Sequence, residues 1–172
     1  MNKPSIALAV TLLLAAGGAA AQAPSDAQIA SIVVTANQVD IDAGKLAEKR
    51  SHDAEVKKFA KLMVTDHTAV NKQASALVHK LKVKPEPNDT SASLKKGGDE
   101  NMAHLKTLKG AAFDKAYVDH EVAYHQAVLD ALDKTLIPSA DNAELKALMV
   151  KVRPAFVAHL EHAQHLQAQL GH

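Results

Sequence analysis

The chain has 172 residues, with 20 Lys and Arg against 19 Asp and Glu, 47% hydrophobic residues, 3% aromatic residues and ten histidines. That length predicts one domain large enough to bury its own core, and the even charge lacks the long-range field on which nucleic-acid binders depend. With no cysteine, a disulfide frame, a thiolate zinc site, an iron–sulfur cluster and a cysteine nucleophile are excluded.

Met1–Ser5 carries one basic residue, Lys3, ahead of the almost unbroken apolar run Ile6–Ala16 and the small residues Ala19–Ala21. This pattern predicts a secretory signal peptide over residues 1–21, cut before Gln22. Its apolar stretch falls short of the ~20 residues that span a bilayer. The mature chain, 22–172, then carries 19 charges of each sign. No later segment could cross a membrane, so a periplasmic or secreted product is expected. No nucleic-acid partner is expected, and any protein partner or small ligand is left open.

Apolar residues then recur at spacings of 3 and 4, the helical period. A first helix over Ser25–Arg50 aligns Ile29, Val33, Ala36, Ala43 and Ala47. A second over Asp53–Lys82 aligns Val56, Ala60, Met63, Val70, Ala74 and Leu77. Val83–Glu100, with Pro85, Pro87, Asn88 and the Gly97–Gly98 pair, reads as a connection, and Asn101–Lys109 as a short extra helix capping one end. A third long helix over Phe113–Leu136 aligns Val118, Val122, Leu129, Leu132 and Leu136. The fourth, Asp141–Leu170, aligns Leu145, Leu148, Val152, Phe156, Ala163 and Leu166, and Pro154 should kink it without ending it. The expected fold is all-α: an up-down four-helix bundle with a short extra helix between its second and third members.

Each stripe is interrupted once by a group able to bind metal: Asp40, His67, His125 and His159. Burying such a group costs several kcal/mol unless it is paired, hydrogen-bonded or bound to a cation. Counted from one shared end of the bundle at ~1.5 Å per residue, the first three fall at one level and His159 about 10 Å lower; either the hairpins are staggered, or His159 belongs to a second polar layer with Tyr117 and His120. Two readings follow. The four form a structural polar network, or they hold a transition metal; imidazole and carboxylate without thiolate suit zinc, iron, copper, nickel or manganese. Asp66, Tyr117, His120 and Glu121 flank these positions. His162 and His165, one turn apart near the C-terminus, could hold a labile surface metal. Di-iron carboxylate bundles require Glu-x-x-His, and no acid here precedes a histidine by three; Glu121–His125 and Glu161–His165 are four apart. No Gly-x-Ser-x-Gly elbow or phosphate-binding glycine loop is present.

Asp40-Ile-Asp-Ala-Gly44, Met63-Val-Thr-Asp66-His67-Thr68, Phe113-Asp-Lys-Ala-Tyr117 and His125, with Pro154 and His159-Leu160, resemble an exported, ferritin-like bacterial domain family of unknown function. Its members are often labelled predicted outer-membrane proteins. The resemblance covers essentially the whole mature chain and implies a ferritin-like bundle in the bacterial envelope, with no reaction attached. The family commonly has Glu where this chain has Asp40. The expected role is therefore a binding or stress-related envelope protein with an internal Asp/His cluster. One alternative is a periplasmic metalloenzyme with redox or hydrolytic chemistry at that cluster. Another is a metal buffer built on the C-terminal histidines.

Overall fold

The computed structural model describes residues 23–171, so the expected signal peptide and His172 lie outside it. Its elements are α1 (Asp26–Arg50), α2 (Ala54–Lys80), α3 (Asp89–Thr107), α4 (Gly110–Ala131), a π-helical turn (Leu132–Leu136), α5 (Ile137–Ser139) and α6 (Ala143–Leu170). Among the described residues there is no strand.

Helix starts follow side-chain chemistry, because the first backbone N–H groups of a helix lack internal partners. Ser25 and Gln28 form a reciprocal capping box on α1, and Asn88 and Ser91 form another on α3. Asp53 accepts from the N–H groups of Glu55 and Val56, and Asn142 from those of Glu144 and Leu145. At the far end of α1, Arg50 donates to the carbonyls of Lys106 (3.0 Å) and Leu108 (2.8 Å), tying the end of α3 to the end of α1.

The core falls into two apolar clusters. One gathers Ile29, Val33, Val70, Leu132, Met149 and Phe156; the other gathers Ala47, Phe59, Met63, Leu105, Phe113 and Leu166. α1 and α6 run from the first cluster to the second, and α2 and α4 from the second to the first. α1 packs on α2 and α3, and α6 on α4 and α2.

Two expectations are corrected here. The extra helix is not a short cap over 101–109: it has 19 residues and takes in much of the stretch read as a connection. The Gly97–Gly98 pair suggested a break, but Gly98 is buried within α3 against α1, where a Cβ would meet Val39 Cγ2 at 2.7 Å. Glycine there permits close helix approach and does not end the helix. The simple up-down order is corrected as well. Leu94 packs on the first cluster and Leu105 belongs to the second, so α3 carries the chain the length of the molecule. α2 and α4 consequently run in the same sense. The α1–α2 turn sits beside Ala47 and Val56 of the second cluster, whereas Ala140, at the turn into α6, belongs to the first. These turns do not share an end. Pro154 behaves as expected in one respect: α6 continues through it.

A buried Asp and histidine cluster

The polar interruptions lie between the two apolar clusters, and each long helix crosses that layer once. Asp40 on α1, His67 on α2, His125 on α4 and His159 on α6 are all buried, as is Glu121 on α4. The three imidazoles form a nearly equilateral triangle, with ring centroids 5.5 Å (67–125), 5.3 Å (67–159) and 5.4 Å (125–159) apart. His159 therefore shares the layer, which the count along the sequence left open. The count had placed the last turn near Pro138, whereas α6 begins only at Ala143. Counted from Asp141, His125 lies 16 residues before the turn and His159 18 after it.

Hydrogen-bond partners assign the ring protons. Asn37 donates its amide to Val33 O (2.7 Å), which turns its Oδ1 toward His67 Nδ1, also at 2.7 Å. His67 thus carries its proton on Nδ1. His125 Nδ1 faces the Glu121 carbonyl at 3.1 Å, and His159 Nε2 faces Asp66 Oδ2 at 2.9 Å. Each ring is anchored by one nitrogen. The other three nitrogens, His67 Nε2, His125 Nε2 and His159 Nδ1, are buried and accept no hydrogen bond. Rings held through one nitrogen with the other bare have the arrangement of metal-binding histidines. The candidate ligand atoms of this trio lie within 4.8 Å of one another.

Asp40 closes the layer. Its Oδ2 lies 3.0 Å from His67 Nε2 and 3.5 Å from His125 Nε2, yet neither contact is aligned as a hydrogen bond. Two lone pairs at that separation repel unless a proton or a cation lies between them. Burial pushes the Asp40 carboxyl up to about 7, a shift partly offset by the neighbouring Glu121 carboxyl. Glu121 is driven well above the carboxylate range by burial and by Asp40. Burial and its neighbouring rings hold His67 well below the imidazole range; burial and His159 bring His125 down to about 3. His159 is lowered by burial and partly restored by Asp66. The cluster is thus neutral imidazoles facing two carboxyls that burial holds toward their protonated forms: a binding cation would displace their protons to solvent and meets no positive charge.

Several flanking positions separate once placed. Glu121 is more than a flank, since Asp40, Glu121 and His125 form a second trio with ligand atoms within 4.8 Å. A spacing of four on a helix brings side chains together as well as three does. Asp66 is the anchor of His159, as its adjacency to His67 allowed. Tyr117 is buried in the second cluster with its hydroxyl unpartnered. His120 stands off the cluster, its ring stacked on Tyr124 and its pKa pushed down to about 4 by burial. His162 packs edge-on against Phe59 and His165 meets Gln169, and neither belongs to the two trios. Sequence reasoning missed Asn37 and Tyr124, and read Phe156 only as a core residue. Phe156 stacks on His67 at 5.0 Å, and Tyr124 donates to Ala36 O at 2.9 Å, joining α4 to α1. Asn37 had a readable signal, since it stands one helical turn from both Val33 and Asp40 on the buried face.

The profile of a domain of unknown function, DUF4142, matches residues 12–166. The chain belongs to the DUF4142 family. No curated protein and no solved structure matches it. For this DUF4142 member, any account of function must come from the cluster itself, which could hold a metal ion.

Proposed function

We propose that this DUF4142 chain is an exported protein that binds one divalent transition metal between its long helices. His67 Nε2, His125 Nε2 and His159 Nδ1 would be ligands, and Asp40 the fourth. The observation that carries this reading is the trio of bare, buried imidazole nitrogens, each on a ring fixed from behind by Asn37, Glu121 O or Asp66. Three neutral imidazoles and one carboxylate suit zinc, copper, iron or nickel, with manganese favoured only if Glu121 joins. A tetrahedral ion with bonds near 2.0–2.1 Å sets its ligands roughly 3.4 Å apart. Small ring movements would reach that spacing.

The frame belongs to the same proposal. Four long helices with α3 as a single long crossover are what a ferritin-like bundle uses, in keeping with the resemblance carried by the sequence. The apolar leader read in residues 1–21 supports export. Binding without turnover is preferred over a metalloenzyme because the cluster is buried among apolar side chains, which leaves a polar substrate no approach.

A second reading has its own support: burial holds Asp40 and Glu121 toward their neutral forms and the imidazoles neutral, so the layer would be complete without a metal as a polar network. Elemental analysis of the untagged mature protein separates the two, beside His67→Ala and His125→Ala. Close to one equivalent of a transition metal in the parent, lost in both variants, is expected. Less than about 0.1 equivalent after reconstitution, with His67→Ala lowering only the melting temperature, would leave the polar network standing.

A further inference from the structure

A cavity of about 30 Å³ opens directly on the cluster. Asp40, His67 and His125 form one wall; Leu132, Leu136, Met149 and Phe156 form the others. Two of those walls come from the π-helical turn Leu132–Leu136, whose wider turn distinguishes this stretch from the α-helix expected there. The remaining lining includes Val128, Leu148 and Val152, which are only partly buried and so lie toward the surface.

Size and lining together choose the occupant. A single water needs ~10–15 Å³ of such space, so this cavity has room for a molecule of about two heavy atoms. Of its polar lining, Asn37 is already committed to Val33 O and His67, Tyr124 to Ala36 O, and the bare atoms of Asp40, His67 and His125 lie only at the cluster end. At the aliphatic end water would be unsatisfied, as would any polar or charged substrate. We infer that the cavity binds one small, uncharged diatomic gas of the dioxygen or nitric oxide class and presents it to the His67 and His125 face of the cluster. The inference deepens the metal-binding reading and rests on it for what the gas would meet, while the cavity itself exists without a metal.

The experiment therefore has two arms. In the first, the metal-free mature protein is titrated with xenon and followed by methyl and imidazole NMR. Saturable shifts confined to Met149, Leu132, Leu136 and the two rings are expected, and they should vanish in Ala36→Leu and in Val128→Phe, which fill the lining from opposite sides. No saturable shift, or shifts that survive in whichever filler folds, overturns the cavity as a binding site. In the second, ferrous-loaded protein receives nitric oxide anaerobically and is read by paramagnetic resonance. A nitrosyl adduct in the parent, lost or much weakened in the fillers at unchanged iron content, is expected. An adduct equally strong in the fillers overturns delivery through this cavity. If none of iron, zinc, copper or nickel loads while xenon binds, the metal reading fails, and with it presentation to a metal, while the gas cavity stands.

Discussion

Asn37 is the residue through which the metal reading is most sharply exposed to test. Its Oδ1 accepts from His67 Nδ1 at 2.7 Å, and its own amide is fixed on Val33 O. Replacing it by leucine keeps the volume and removes the acceptor. The His67 proton then has no reason to stay on Nδ1, and its transfer to Nε2 would close the lone pair that faces the ion. Partners behind a ligand histidine are worth about 10–100-fold in metal affinity, or about 1.4–2.7 kcal/mol. Stability should fall too, since a buried unpaired donor costs about 1–3 kcal/mol, lowering the melting temperature by about 2–4 °C per kcal/mol in a domain of this size. A competition titration with a chromophoric chelator, run beside thermal unfolding of the metal-free form, measures both effects. If Asn37→Leu melts lower but binds zinc within twofold of the parent, His67 is not a ligand through Nε2, and the tautomer reasoning is wrong.

Other consequences can be checked with equal economy. Because the Asp40 carboxyl is raised to about 7, its proton competes with metal below that pH. Affinity should rise by up to about tenfold per unit as pH climbs toward 7 and flatten above it, whereas Asp40→Asn should bind more weakly and lose that component of the slope; an unchanged slope would exclude Asp40. Gly98→Val would drive a side chain into Val39 and should cost about 1–3 kcal/mol by urea denaturation; a neutral result would mean α3 does not pack closely on α1. The double variant His162→Ala with His165→Ala should leave tight metal stoichiometry unchanged, and a loss of the bound metal would revive the C-terminal buffer.

Helix positions and the polar layer were legible because both depend on periodicity. Asp40, His67, His125 and His159 each replace an apolar residue in an otherwise regular stripe, and a buried polar group in such a place needs a partner. What could not be read were features set by tertiary contact. Gly98 looks like a breaker until Val39 is found against it. The sense of α4 depends on α3 spanning the molecule, and sequence spacing does not show where a helix points. Mid-height positions such as Asp40 and His125 agree from whichever end they are counted, so the wrong topology still placed them together. The level of His159 stayed open from the sequence because the π-helical turn and α5 carry the chain beyond Pro138 before it reverses. Glu121 was undervalued for a related reason: a spacing that disqualifies one known ligand motif still brings two side chains face to face.

The polar layer divides the greasy interior into two halves, yet all four long rods run unbroken through both. Neither half can loosen without disturbing the ring of side chains at the waist, and the ring cannot tighten without stiffening both ends. Amide-exchange protection should therefore rise on metal loading as far away as Leu145 and Phe113, residues that touch no ligand and sit at opposite poles of the molecule.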